Sequence, residues 1–232
     1  MREIVLDTET TGLDPQQGHR LVEIGCVEVV NYVATGQTFH IYLNPDRTMP
    51  MEAQQIHGLS DEFLADKPRF TEVAQAFIDF IGDSPLVIHN AGFDMKFLNA
   101  ELALAGLPTL EMARAIDTVI MARRKFPGQP ASLDALCRRF GVDNSARDYH
   151  GALLDAQLLA EVYLELRGGR QPNLIAAETT TTARATVATT GHRPYRAPRP
   201  HAPTDDELAA HRAFIATIKN ALWDNVVDAK SA

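Results

Sequence analysis

Glu3-Ile4-Val5-Leu6-Asp7-Thr8-Glu9-Thr10-Thr11-Gly12 begins as a short apolar run and ends in two carboxylates and a glycine. Glu3 to Asp7 reads as a buried strand, because a brief apolar run bounded by turn-forming residues suits a sheet interior. Residues two apart on a strand face the same side, so Asp7 and Glu9 point to one place where the strand ends. As a lone tripeptide, Asp7-Thr8-Glu9 reads more readily as a solvated turn. The apolar run before it instead sets the pair at the edge of a buried sheet, where unpaired charge is costly and a cation would offset the cost.

Outward from that strand, Leu21 to Val30 and Gln37 to Leu43 read as two more strands, joined by a hairpin-length connection from Asn31 to Gly36. Glu72 to Ile81 has an amphipathic helical period, Pro85 to His89 is a short apolar strand, Phe93 to Leu104 a helix and Ala115 to Asp117 a last short strand. Three helices follow at Thr118 to Lys125, Ser132 to Phe140 and Gly151 to Leu166. A β-meander followed by alternating helices and strands predicts an α/β fold, a mixed sheet flanked by helices, over residues 1–170. The texture changes at Gly168-Gly169. Residues 171–203 run through Thr179 to Thr182 into a Pro/Arg-rich stretch from Arg193 to Pro203, a composition that buries too little apolar surface to order itself. A flexible linker is expected there. From Thr204, an N-cap with Glu207 three places on, Leu208, His211, Ile215, Ile218 and Leu222 recur at helical spacing, which predicts a helical tail over residues 204–232.

The length of 232 residues suits one well-cored domain with accessory sequence. A net charge of −8 argues at first against a nucleic-acid partner. The acidity is local, however: residues 1–170 carry 15 Lys and Arg against 24 Asp and Glu, whereas residues 171–200 carry 4 against 1. Carboxylates that hold divalent cations can still bring phosphate to an acidic surface, because bound cations dominate the local field. No run approaches the roughly 18 apolar residues of a membrane helix, and Met1-Arg2-Glu3 leads into a strand where a signal peptide would be apolar, so a cytoplasmic protein is expected. Cys26 and Cys137 lie far apart without CxxC spacing, which points away from zinc or redox chemistry and towards buried, reduced thiols.

Two further acidic stretches join the first. His89-Asn90-Ala91-Gly92-Phe93-Asp94 lies where an apolar strand runs into a helix, and ligands in α/β sheets bind at such carboxyl ends. Asp94 in a first helical turn is also simply a good partner for the helix dipole. In His150-Gly151-Ala152-Leu153-Leu154-Asp155 the spacing cannot put both ends on one helix face, so His150 belongs to the entry loop while Asp155 looks inward. Taken alone, Asp155 reads as well as a satisfied buried acid and His150 as an ordinary surface histidine. Together, four acids on different elements plus one histidine make the set that two-metal phosphodiester hydrolysis needs.

With those three stretches in order, the sequence resembles the DEDDh exonucleases of the DnaQ-like family, and within it the proofreading subunits of bacterial replicative polymerases. The resemblance implies a ribonuclease H-like fold and 3′→5′ exonuclease activity with two Mg²⁺ or Mn²⁺ ions. It implies that Asp7 bridges both ions, that Glu9 and Asp155 complete the site of the nucleophilic water, and that Asp94 supports the second ion. His150 becomes the general base, a role that suits an imidazole, which titrates near neutral pH. Thr10, Thr11, Gly12, Leu13 and His57 then lie against the terminal nucleotide of a single-stranded 3′ end, with Asn90 and Phe93 at the next one. His57-Gly58 reads equally as a helix C-cap with glycine left-handed, which need not exclude that contact.

Gln171 to Ala176 is similar to a glutamine-led sliding-clamp peptide anchored by Gln171 and Leu174, although Ala176 stands where that pattern wants a bulky apolar residue. A plain linker remains the alternative. The tail, with Leu208, Leu222 and the lone Trp223, is similar to the segment by which such subunits dock onto the polymerase alpha subunit; folding back onto the domain is the other reading. A small theta-like accessory subunit is a further partner that the resemblance allows. The rivals are an RNA-directed DEDDh enzyme, of oligoribonuclease or tRNA-trimming type, and a non-catalytic replisome scaffold.

Overall fold

In the computed structural model, which describes residues 1–145, 149–169 and 202–219, the apolar run before Asp7 becomes the middle of β1 (Arg2–Thr10). β2 (Leu21–Val30) and β3 (Val33–Tyr42) complete an antiparallel meander with it. β4 (Leu86–Ile88) and β5 (Ala115–Asp117) add in parallel on the other side, giving the order β3-β2-β1-β4-β5. This is the mixed sheet that the element order predicts.

Two local expectations need correcting. β1 does not stop at its carboxylates but runs on to Thr10. The hairpin closes on Asn31 and Tyr32 alone, at φ 51° and 68°, so β3 starts at Val33 and not at Gln37. A two-residue turn of this kind needs both central residues left-handed, which asparagine accepts and tyrosine resists. Tertiary contacts hold Tyr32 there: its ring lies edge-on to Tyr163 at 5.7 Å, and the Arg167 guanidinium sits 4.8 Å from its centroid. Gly36, at φ 88°, falls where the β2–β3 register shifts.

α1 (Met51–His57) and α2 (Asp61–Leu64) are too short to leave a period in the sequence. They pack Ala53 and Leu64 against Val22 and Met49 at one end of the meander. α3 (Phe70–Ile81) and α4 (Ala91–Leu104) cover one face of the sheet, where Ile4, Leu6 and Ile88 close with Phe77, Phe97 and Leu98. α5 (Thr118–Lys125), α6 (Leu133–Phe140) and α7 (Ala152–Leu166) cover the other, where Val5, Val27 and Val87 close with Leu136, Leu159 and Tyr163. Each such side chain contributes about 1.5–3 kcal/mol when fully buried. That energy fixes the register of β1, since a slip of one residue would turn Asp7 and Glu9 to the opposite face. Cys26 and Cys137 are both buried, and burial pushes the Cys26 thiol far above its ordinary pKa.

The chain divides into two units, Met1–Ala176 and Ala177–Ala232. In the second, α8 (Asp205–Ile215) opens with a capping box: Thr204 N donates to Glu207 Oε2 at 2.8 Å, and Glu207 N donates to Thr204 Oγ1 at 3.3 Å. The helix ends at Ile215, so Ile218 lies beyond it, and Leu208 is exposed. Gln171, Leu174, Leu222 and Trp223 lie outside the described residues. Among the described residues no helix is long and apolar enough to cross a membrane.

Candidate active site

β4 ends at Ile88, opposite Leu6, while β1 continues to Thr10 beside β2 alone. Asp7, Thr8 and Glu9 therefore stand on an overhang with one edge open. Asp7 and Glu9 share the face of Val5, towards α7, and lie opposite Gly25 and Glu23 of β2. Thr8 faces the α4 side, where its hydroxyl donates to Asp94 Oδ1 at 2.7 Å. Asp94 and Asp155 come from the first turns of α4 and α7, and both are buried. All four acids and His150 line one cleft of about 290 Å³.

The approach of α7 depends on a residue that the sequence reading did not single out. A Cβ on Gly25 would lie 2.3 Å from the Ala152 carbonyl carbon and from the Leu153 nitrogen, both backbone atoms. Only glycine lets the first turn of α7 sit this close to the strand beside Asp7. An isolated glycine inside an apolar strand was the available signal, since close backbone approach is a common reason for one. Asp134, in the first turn of α6, also lines the cleft and was likewise missed.

His150 precedes α7, and its backbone N–H donates to the Ile56 carbonyl at 3.1 Å, tying the entry loop to α1. Its Nδ1 lies 3.5 Å from Asp155 Oδ2, with the imidazole about half exposed. One donor atom from each of Glu9, His150 and Asp155 falls within 4.8 Å of the others. Among the described residues, no lysine or arginine lines this cleft. Burial pushes the Asp94 carboxyl up to about 7, with the Thr8 hydroxyl pulling the other way and Asp117 adding to the rise. A buried, carboxylate-rich donor set of this kind fits hard divalent cations, which prefer oxygen ligands.

Beside the cleft lies a pocket of about 570 Å³ that contains Thr10, Thr11, Gly12, Leu13, His57 and Phe93. Its floor is locked by short-range hydrogen bonds. Thr10 Oγ1 donates to the Gly12 carbonyl at 2.6 Å, and the Arg20 N–H donates to Thr11 Oγ1 at 3.0 Å. α4 clamps the same loop through a bidentate Arg20–Glu101 pair at 2.6 and 2.7 Å and a Lys96–Asp14 pair at 2.9 Å. Leu13 stands exposed at the rim.

His57 ends α1, and Gly58 caps it at φ 75°, so the helix-cap reading and the pocket position coexist. Its Nδ1 accepts from the Leu59 N–H at 3.1 Å, which leaves the ring proton on Nε2. Nε2 is buried without a hydrogen-bond partner, although the Thr10 backbone is near enough to act on the ring's charge. Burial lowers the pKa of this imidazole below its ordinary value, which favours the neutral form. Phe93 lines both pocket and cleft, whereas Asn90 lines a third cavity and not the pocket. Asn90 adopts φ 70° at the N-cap of α4 without a side-chain capping bond, a strained conformation of the kind that clusters at functional sites.

Residues 4–163 match the family described as exonuclease (RNase_T). The DNA polymerase III subunit epsilon of Rickettsia felis is 54% identical over 222 residues, spanning 94% of this chain and 97% of that protein. Its counterpart in Escherichia coli K12 is 46% identical over 235 residues, spanning 96% and 97%. Among solved structures, exonuclease X in complex with 5′-overhanging duplex DNA aligns at TM-score 0.56 and 28% identity, over 70% of this chain and 89% of that one. The nuclease domain of 3′hExo, a DEDDh family member bound to rAMP, shares the fold at TM-score 0.61 and 20% identity, over 72% and 91%.

Proposed function

This chain belongs to the exonuclease family and, within it, to the DNA polymerase III epsilon subunits, and from that membership we propose that it proofreads, hydrolysing the last phosphodiester of a primer whose 3′ nucleotide is mispaired. One observation carries the reading: donor atoms of Glu9, His150 and Asp155 lie within 4.8 Å of one another in the cleft that Asp7 and Asp94 share, next to a preformed pocket.

Asp7, Glu9 and Asp155 would hold one Mg²⁺ or Mn²⁺ ion, and Asp7 with Asp94 would hold a second. Such a cation pair, when bound, activates water and stabilises both the attacking and the leaving oxygen. His150 takes the proton from the attacking water. Its half-exposed ring can pass that proton to solvent, and the Asp155 carboxylate 3.5 Å from Nδ1 stabilises the imidazolium that forms. The pocket holds the terminal nucleotide. Leu13 and Phe93 offer apolar surface to a base without reading its identity, and the His57 Nε2–H donates to a sugar or phosphate oxygen. A mispaired end enters more readily than a paired one, because less pairing energy is lost on unstacking it.

The remaining partners follow from the same membership. The tail, through Leu208, Leu222 and Trp223, docks onto the polymerase alpha subunit and keeps the nuclease near the primer end at a raised effective concentration. Gln171 and Leu174 supply a sliding-clamp contact, and a theta-like subunit and a cytoplasmic location accord with work at the replication fork.

The test is a 3′-mispaired DNA primer given to the purified chain with Mg²⁺ and then with EDTA. Terminal nucleotide should be released only with the cation, and faster from single-stranded DNA than from RNA. His150→Ala should lower kcat by roughly 10²–10⁴ with little change in KM. Release in EDTA, or wild-type turnover in that variant, rejects the mechanism.

A further inference from the structure

The three cavities form one continuous groove. The pocket and the cleft share Thr8, Glu9 and Phe93, and the cleft shares His89 and Ser132 with the third cavity, of about 720 Å³. This last cavity lies at the carboxyl ends of β4 and β5, since His89 and Asn90 follow β4 and Asp117 ends β5. Arg123 lines it, and no other lysine or arginine among the described residues lines any of the three. Arg123 is exposed and has neither an ion pair nor a hydrogen bond among the described residues. Lys125, two places on, is engaged by the carbonyls of Glu165 and Leu166 at 2.9 and 3.0 Å. Asp117, the acid in the same cavity, is occupied by the backbone N–H groups of Ala91, Val119 and Ile120.

Resting on the exonuclease reading, we propose that this third cavity receives the strand upstream of the scissile bond, and that the Arg123 guanidinium pairs there with a phosphodiester of the unpaired polynucleotide. β5 is two strands from β1, roughly 10 Å at the usual spacing, which spans up to about three nucleotides stacked at about 3.4 Å. Cations held in the cleft would contact the scissile phosphate and not the strand upstream of it. Farther along, the groove offers one permanent positive charge, and its planar fork matches phosphate oxygens in a way that an ammonium does not. The Asn90 and Gln129 amides and the Ser132 hydroxyl add partners for sugar and phosphate, contacts that position a strand without specifying its sequence.

The experiment compares two substrates across a salt series. The p-nitrophenyl ester of thymidine 5′-monophosphate reaches only the pocket and the cleft, whereas a deoxythymidine hexanucleotide also reaches the third cavity. Arg123→Ala should raise the hexanucleotide KM about tenfold and reduce its log KM versus log salt slope by about 0.7. The ratio of hexanucleotide to ester activity should fall in step. Arg124→Ala, which alters the adjacent exposed cation outside the cavity, should match wild type on both substrates. An unchanged hexanucleotide KM and salt slope, or an equal loss on ester and hexanucleotide, overturns the proposal. If the wild-type chain hydrolyses neither substrate with Mg²⁺ present, it is the exonuclease reading that fails.

Discussion

The carboxylate cleft and the pocket beside it share a wall but are built on opposite principles. The pocket is nearly complete in the polypeptide alone: its floor is one short loop, held by the Thr10, Thr11 and Arg20 bonds and clamped to α4 by Glu101. The cleft draws Asp7, Glu9, Asp94, His150 and Asp155 from β1, α4 and the start of α7, and concentrates anions without a lysine or arginine among its described lining residues. Such a site is finished only by cations, because buried carboxylates without counter-charge cost several kcal/mol each. The difference teaches that perturbing the placement of α7, or the proton balance, should strike the cleft and spare the pocket.

Gly25→Ala should have the largest effect. The added methyl group meets backbone atoms of Ala152 and Leu153 at 2.3 Å, and backbone cannot swing aside. α7 must retreat by about 1 Å, carrying Asp155 away from Glu9, and a displacement of that size costs about 10²-fold in turnover. Overpacking should also cost about 1–3 kcal/mol of stability. In the pocket, Gly12→Ala meets the His19 ring at the same 2.3 Å, but a side chain can yield, so a much smaller loss is expected. The comparison breaks if the two substitutions lower kcat equally in variants whose circular dichroism shows an intact fold.

This contrast also marks what could be read from the sequence. The apolar run of β1, the full span of β2 and the amphipathic period of α3 report burial directly, so the sheet and its helical cover were legible. The three acidic stretches were legible as chemistry because each charge interrupts or borders apolar sequence. The left-handed Tyr32 was not, since Tyr163 and Arg167, more than a hundred residues away, hold it in place. Gly25 looked like one small residue in a strand, because its meaning lies in a helix that begins at Ala152. Asp134 carries no local signal beyond that of any carboxylate in a first helical turn. Long-range approach leaves only faint local traces.

The second effect is one of pH. Burial holds the Asp94 carboxyl protonated up to about 7, and a proton competes with a cation for that carboxylate. Divalent-ion affinity should therefore rise with pH through about 7 and weaken by up to about tenfold for each unit below it. The stability sign follows from the same shift. An aspartate whose folded pKa lies above its unfolded value leaves the cation-free protein progressively less stable from about pH 4 to about 7, with the full penalty above that. Added Mn²⁺ should accordingly raise Tm more at pH 8 than at pH 6, and Asp94→Asn should flatten both profiles. The pocket predicts a weaker slope, because burial shifts His57 towards its neutral form. A Mn²⁺-induced Tm shift that is the same at pH 6 and pH 8 would remove Asp94 from the cation site.

The smallest effect belongs to the pocket, and it separates the two histidines. His57 offers one buried Nε2–H that has the Thr10 backbone nearby but makes no hydrogen bond of good geometry, while its Nδ1 is committed to the Leu59 N–H. A neutral hydrogen bond of this kind is worth about 0.5–1.5 kcal/mol, so His57→Ala should raise the oligonucleotide KM between about two- and tenfold and leave kcat near wild type. His57→Gln, which can present an amide N–H from a similar position, should recover part of the loss. Because burial favours the neutral imidazole, the KM ratio between variant and wild type should change less from pH 6 to pH 8 than the cation affinity of the cleft does. A fall in kcat with KM unmoved would place His57 at the reacting phosphate, and the division between a preformed pocket and a cation-completed cleft would no longer hold.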